Sequence, residues 1–404
     1  MRLAIVVSHP IQYHSPWFRH LAEHLDLEVF YAHRQDAAGQ AAAGFGVKFD
    51  WDTSLLDGYS YRFLKNVAAK PGFSSFGGCD TPEIFQVIRQ GRYDACLLFG
   101  WNRKFCLQTL LACWKAGVPT LMRGDSQLHT ASSAARRAIK YLPYRWLLPR
   151  VATHLYVGQR NLQYLLHYGV TKERLFFVPH CVDNDFFSRG ASAAKSSGRI
   201  ESIRKELGIS RDAFVALFVG KFIREKQVED FIQACGQLGV TNGRPVHGVL
   251  VGDGPLRPKL ERMAGLCGDR IHFVGFRNQS ELPAWYAAAD VLVLPSASET
   301  WGLVVNEAMA SGLPAVVSNA VGCAPDLIDQ GDTGFVYPVG DVAALTNCLR
   351  SLEAACRTRL PEVRHAVRSK VACYSIERAT EGLLAALQRS QKLNSSKEGL
   401  VHIA

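Results

Sequence analysis

The sequence predicts an α/β protein built from two doubly wound parallel-sheet domains, and three observations point there. The chain has 404 residues, enough for two or three domains of ordinary size. In both halves, short apolar segments rich in Val, Ile and Leu alternate with longer amphipathic ones, the pattern of a parallel sheet covered on both faces. Between the halves, Ser188–Arg199 (SRGASAAKSSGR) is small, polar and basic, which is linker composition. The expected division is a first domain over 1–187, a linker and domain entry over 188–212 and a second domain over 213–372. The last segment, 373–404, is expected to be a helix returning to the first domain, with a tail.

In the first half, Arg2–Ser8 reads as a buried strand. Pro16 opens a helix whose apolar face is Trp17, Phe18, Leu21, Ala22 and Leu25. Further strands are expected at Leu27–Ala32, Asp94–Phe99, Val118–Met122, His154–Val157 and Leu175–Pro179, with a helix over Lys104–Lys115. The second half reads more cleanly, with strands at Phe214–Val219, Val246–Val251, Ile271–Val274, Val291–Pro295, Ala315–Ser318 and Phe335–Tyr337. Ligands of such sheets bind beyond the carboxyl ends of the strands. The residues to inspect are therefore Lys221, Gly252, Gly275–Phe276, Ser298–Gly302 and Asn319–Gly322.

Composition narrows the class. Hydrophobic content of 48% and charged content of 20% are ordinary for a globular protein. No apolar run is long enough to span a bilayer, and the N-terminus lacks the basic start and apolar core of a signal peptide. Eleven cysteines are scattered without a CxxC pair, which fits reduced thiols, and a cytoplasmic location is expected. The net charge is +10, and residues 1–187 hold 21 Lys/Arg against 14 Asp/Glu. No acid lies between Asp125 and Glu173, where seven bases do. Such a field favours an anionic partner. Within it, Arg136–Arg150 (RRAIKYLPYRWLLPR) mixes five bases with Tyr141, Tyr144, Trp146, Leu147 and Leu148, a composition suited to peripheral contact with the inner face of an anionic membrane. Nucleic acid is not expected, because no recognition module accompanies the charge.

The second half carries the chemistry. After Val291–Pro295, Glu299 sits in a loop and Glu307 follows within the next helix, with seven residues between them. Gly302 lets the backbone approach a ligand at that helix start. The first-turn amides of Leu303 and Val304 have no partner within the helix, which makes an anion site suited to a diphosphate. On spacing alone, Glu299 reads first as a charge on the helix dipole and Glu307 as a surface residue. After Phe214–Val219 come Lys221 and Lys226, two cations able to neutralise a leaving diphosphate or to form an ordinary solvated helix start. After Val246–Val251 comes Gly252-Asp-Gly254-Pro255, a tight turn. A GxG without its third glycine is weak evidence for a dinucleotide.

Taken in order, GKFIREK, LVGDGP, FVGF, the Glu299/Glu307 pair, and Gly322 followed by Thr333-Gly334-Phe335 each fall at a strand end. The set resembles the retaining glycosyltransferases of family 4, with the GT-B fold of two Rossmann-like domains facing across a cleft. The likeness covers essentially the whole C-terminal half, reaches back to Val178-Pro-His-Cys-Val182-Asp183 and includes Tyr374-Ser-Ile-Glu-Arg378. It implies a nucleotide-sugar donor as substrate, with Lys221 and Lys226 on the diphosphate, Glu299 on the donor sugar and Glu307 on the ribose. Backbone groups near Gly252, Gly275 and Phe276 would complete the donor site with Gly302, Leu303 and Val304. Glu299, Lys226 and Asp125 are the catalytic candidates, and neither a metal nor a cofactor is expected. The family often has Arg where Lys221 stands, so a bidentate grip becomes a point charge. On the acceptor side the match is weaker. Ser8-His9-Pro10-Ile-Gln12-Tyr-His14 replaces the family's glycine pair, and Met122-Arg123-Gly124-Asp125 stands where many members have a His. Asp125 or Arg123, with His9 and His14, are the candidates for contact with a glycan or lipid-linked acceptor. An isomerase of the 2-epimerase kind, or a non-catalytic sugar-nucleotide binder, is the alternative on the same scaffold.

Three other motif-like segments occur in the chain. His20-Leu-Ala-Glu23-His24 fits the HxxEH of inverted zinc proteases, on a helix face expected to meet solvent. Asp50-Trp-Asp52 looks like a metal–nucleotide DxD, but lies in the half expected to see the acceptor. Gly220-Lys221 is followed by Phe222 rather than Ser or Thr, so no Walker sequence is present.

Overall fold

A computed structural model describes the chain except residues 42, 43, 45, 74, 129–133 and 402–404; the side chains of 38, 40, 134–136 and 392–401 also lie outside the described residues. It divides into two compact units. The first comprises Met1–Gln35, Ser54–His180 and Ile376–Ala404; the second comprises Asp36–Thr53 and Cys181–Ser375.

The first unit holds strands β1 (Arg2–Val7), β2 (Asp26–Tyr31), β3 (Ser60–Phe63), β4 (Ala95–Phe99), β5 (Thr120–Gly124), β6 (Thr153–Tyr156) and β7 (Leu175–Phe177). They form one parallel sheet in the order β3-β2-β1-β4-β5-β6-β7. The near-continuous burial of β1 and β4 follows from cover on both faces. The helix Ser15–Ala22 buries Trp17, Phe18 and Leu21. Trp17 Nε1 donates to Thr380 Oγ1 (3.2 Å) on the final helix, Ile376–Val401. That helix also lies so close to β7 that a Cβ on Gly382 would come within 2.0 Å of the Phe177 carbonyl oxygen.

The second unit holds β8 (Phe214–Val219), β9 (Val240–Thr241), β10 (Arg244–Val251), β11 (Ile271–Gly275), β12 (Val291–Leu294), β13 (Ala315–Ser318) and β14 (Gly334–Tyr337). The parallel order is β11-β10-β8-β12-β13-β14, with β9 antiparallel to the start of β10. Strands β8, β12 and β13 are buried at every residue. In both sheets the strand order reverses beside the first strand of the unit, at β1/β4 and at β8/β12.

The structure departs from the sequence-based expectations at several points. Strand β3 carries no continuous apolar run (SYRF) and escaped the periodicity reading; it forms because it adds to the edge of β2. The expected linker is helical, as Asn184–Ser196 and Arg199–Glu206. Its small residues are a packing face. Ala191 and Ala194 are buried, and Gly190 lies so near Pro283 that a Cβ would meet its Cβ at 2.7 Å. The Asp183 carboxylate caps the first of these helices by accepting from the Phe186 amide (2.8 Å). The boundary therefore falls at His180/Cys181 rather than after residue 187, and the returning segment starts at Ile376 rather than 373. Residues 36–53, expected in the first domain, belong to the second unit.

Candidate active site

Most of the donor-side residues singled out in the sequence lie just beyond the carboxyl ends of strands in the second sheet, on either side of its β8/β12 switch point. Backbone hydrogen bonds tie these loops to one another. The Gly220 amide donates to the Val251 carbonyl (3.0 Å), the Phe222 amide to Asp253 (2.8 Å) and the Gly252 amide to Gly275 (2.9 Å). The Ala297 amide donates to Glu225 (2.8 Å), and the Gly322 amide to Glu299 (3.0 Å). The loops after β8, β10, β11, β12 and β13 thus form one connected rim. Gly252 is needed for this: its φ is +139°, and a Cβ there would stand 1.9 Å from the Gly220 carbonyl oxygen.

Within this rim Lys226 Nζ donates to Glu299 Oε2 in an ion pair whose side chains are 18% and 17% exposed. Burial first, and then the like charge of Lys226, lowers the pKa of Lys221, with Glu299 working in the opposite sense. Lys221 is thus within electrostatic reach of both members of that pair, and the three groups together carry two positive charges and one negative. Gly302 (φ +101°) caps the helix Leu303–Ala310, and the Val305 amide turns back to Gly302 (2.8 Å). The amides of Leu303 and Val304 stand at the helix mouth, where an α-helix leaves its N–H groups open. Glu307 is not the surface residue its spacing suggested: it is 1% exposed and accepts a hydrogen bond from the Tyr286 hydroxyl. This set has the charge and the donors to hold a diphosphate.

The segment 36–53 lines the same rim. The Phe49 ring lies 4.2 Å from the Phe276 ring, centroid to centroid. A Cβ on Gly46 would come within 3.3 Å of Gly254 Cα. Asp50 and Asp52 both hydrogen-bond to the segment that follows β11. The Asp50 carbonyl accepts from Asn278 Nδ2 (2.7 Å), and the Asp52 carboxylate accepts from the Ser280 amide (3.2 Å) and hydroxyl. Asp52 thus pins the turn that follows β11.

In the first unit a second polar cluster stands beyond the carboxyl ends of β1, β5 and β7. Arg123, 3% exposed, donates to the Pro179 carbonyl (2.9 Å), and its guanidinium lies 5.1 Å from the Trp17 ring. Asp125 Oδ2 is 3.9 Å from His180 Nε2. His14 packs 4.6 Å from the Phe99 ring, and its Nδ1 is buried with no hydrogen-bond partner among the described residues. Burial, then the charge of Arg123, holds His14 and His180 well below the usual histidine range, so both rings are neutral at neutral pH. His9 contacts Ser8 Oγ (3.0 Å) and is pushed down to about 4, mainly by burial and then by His33. Four of these positions, His9, His14, Arg123 and Asp125, are legible as candidates. His180 is not: within Val178-Pro-His-Cys-Val182-Asp183 nothing in the sequence marks it apart from its neighbours. Tyr286 carries no motif of its own, and Phe49 stands beside Asp50-Trp-Asp52 in a stretch expected on the acceptor side, so neither points to this rim from the sequence. His20, Glu23 and His24 cluster at the exposed end of the helix Ser15–Ala22, with ligand-type atoms within 4.8 Å of one another.

Comparison with known proteins adds identity to this geometry. The model of the family "Glycosyl transferases group 1" matches residues 199–363. The D-inositol 3-phosphate glycosyltransferase of Corynebacterium glutamicum is 30% identical over 299 residues, covering 71% of this chain and 67% of that protein. This chain belongs to the glycosyl transferases group 1 family. The alpha-D-kanosaminyltransferase of Streptomyces kanamyceticus is 32% identical over 194 residues, 47% of this chain and 49% of the relative. The chain spans about half the length of the first curated relatives it matches, 49% of one and 52% of another. Among solved structures, Anabaena HepE in complex with UDP superposes with a TM-score of 0.70 at 17% identity, covering 96% of this chain and 100% of that one. At that identity the likeness shows the fold, which is GT-B. Both sheets of this group 1 chain are doubly wound, and apart from the short β9 pairing their strands are parallel. The family match lies within the second unit, which holds the rim described above.

Proposed function

We propose that this chain transfers a glycosyl group from a nucleotide-sugar donor to a hydroxyl acceptor, with retention of anomeric configuration. The observation that carries the reading is the connected rim of the second unit, where Lys221, Lys226, Glu299 and the mouth of the helix Leu303–Ala310 meet. The UDP in Anabaena HepE and the named activities of the group 1 relatives support it.

In this reading the diphosphate rests on the Leu303 and Val304 amides and draws Lys226 partly from Glu299. The sugar C1–O bond to phosphate breaks as the acceptor oxygen bonds C1 from the same face. The acceptor proton passes to the departing phosphate oxygen. The two lysines and the helix mouth stabilise the charge that builds on the leaving group, so no metal is required. Glu299 orients the sugar, and Glu307 holds the ribose from its site beside Tyr286. Phe276, backed by Phe49, borders the base. Arg123 and Asp125, with neutral His14 and His180, serve the acceptor, for which a lipid-linked or cell-envelope glycan is the proposed class.

A thermal-shift screen of nucleotide sugars, followed by NMR of the product's anomeric configuration, tests this. The matching donor at a hundred times its dissociation constant should stabilise the protein by about 2.7 kcal/mol. Glu307→Ala should abolish most of that shift, and EDTA should leave turnover intact. Wild-type donor binding by Glu307→Ala, or an inverted product, overturns the respective part of the reading.

A further inference from the structure

We propose that two helices of the first unit form a docking surface for an anionic lipid bilayer. The inference rests on that surface alone and stands independently of the transfer reaction. The helix Ala134–Leu147 turns Tyr144 and Leu147 onto the core. A surface helix ordinarily presents polar residues on its opposite face. Here Ile139, Leu142 and Trp146, spaced three and four apart, point outward at 74%, 73% and 55% exposure. The stripe continues onto the helix Lys104–Ala116, where the Trp114 ring meets the Trp146 ring edge-on at 6.5 Å. Leu111, one turn before Trp114, is 46% exposed, and Trp114 itself 41%. The result is an apolar strip across two helices, larger than the scattered exposed side chains of an ordinary surface.

Charge selects the occupant. Between Asp94 and Glu173 the chain carries eleven Lys/Arg and a single acid, Asp125. Arg137, Lys140, Arg145 and Arg150 are all exposed around the stripe, and Arg150 stacks over Trp146 at 4.6 Å. The side chain of Arg136 lies outside the described residues. A second copy of the chain does not fit this surface. A two-fold contact would set the strip on itself and bring the same bases face to face. An anionic bilayer meets both needs, with acyl chains for the stripe and phosphates for the bases. No described helix is long and apolar enough to cross a membrane, so the contact is in the plane of the interface.

Co-sedimentation of the full chain with vesicles tests the proposal, using phosphatidylcholine alone and phosphatidylcholine containing phosphatidylglycerol. Binding should require phosphatidylglycerol, fall with added salt and shift tryptophan emission to the blue. Arg137→Gln with Lys140→Gln should lower the partition coefficient roughly thirty-fold. Leu142→Glu with Trp146→Glu should remove binding while leaving the melting temperature near wild type, since both side chains face water. Equal binding to neutral and anionic vesicles, no binding to either, or undiminished binding by both variants overturns the proposal. So does a dimer in lipid-free solution that Leu142→Glu with Trp146→Glu dissolves.

Discussion

Replacing Lys226 by Ala is the perturbation on which the donor-site reading turns. Its ammonium is bound to Glu299, and both side chains are more than four-fifths buried. Two separate losses are expected. Without donor, Glu299 loses its counter-charge in a largely desolvated rim, where breaking a buried pair costs up to about 3–5 kcal/mol. Residual solvent and the nearby Lys221 reduce this, and a loss of about 1–3 kcal/mol is expected. With donor bound, one of two cations facing the diphosphate is gone. The removal of one preorganised electrostatic partner of a transition state typically lowers kcat by about 100- to 1,000-fold. Chemical denaturation measures the first loss, and steady-state kinetics with calorimetric UDP titration the second. The double variant with Glu299→Gln separates the two roles. It should recover most of the stability, because no unpaired carboxylate remains, yet recover none of the turnover. Glu299→Gln alone should bind UDP as tightly as wild type, or more tightly, with Lys226 released to the phosphates, while kcat falls. A Lys226→Ala protein that is destabilised but binds UDP and turns over normally refutes the reasoning: the lysine would then serve the fold alone.

Gly252→Ala should destabilise the second unit by about 3–5 kcal/mol, since its Cβ would stand 1.9 Å from the Gly220 carbonyl oxygen at a φ of +139°; an unchanged melting temperature contradicts this. Tyr286→Phe withdraws a hydroxyl donor from buried Glu307 and should cost about 1–3 kcal/mol in denaturant titration, with weakened donor binding. A variant as stable as wild type argues against that bond. His154, buried and bonded through Nε2 to the Leu148 carbonyl (2.8 Å), is pushed down to about 4, chiefly by burial. The native state thus binds fewer protons than the unfolded chain below the ordinary histidine value of 6.5. Stability is complete above that pH and falls as pH drops toward about 4, by up to about 1.4 kcal/mol per pH unit from this residue. His154→Gln should flatten the slope by one proton; an unaltered slope in that variant contradicts the assignment.

The sequence alone determined the layered α/β architecture, because strands buried on both faces must be apolar throughout and the helices between them need one apolar stripe. Strands β8 and β13 begin and end where the residues predict. It also placed Lys221, Lys226, Glu299, Gly302 and Glu307 in the segments that follow β8 and β12, because strand ends and helix starts are marked locally in the chain. What depends on contacts between distant segments was decided by tertiary structure. Ser188–Arg199 has the composition of a linker, but its small residues serve close helix packing at Gly190 and Pro283. Asp50-Trp-Asp52 resembles a metal motif, but Asp52 is spent on the Ser280 turn more than two hundred residues away in sequence. The pairing of Glu307 with Tyr286, the approach of His180 to Asp125 and the joining of Trp114 to Trp146 have the same cause. Each unites side chains from separate elements, and spacing along a chain carries no record of which elements a sheet brings side by side.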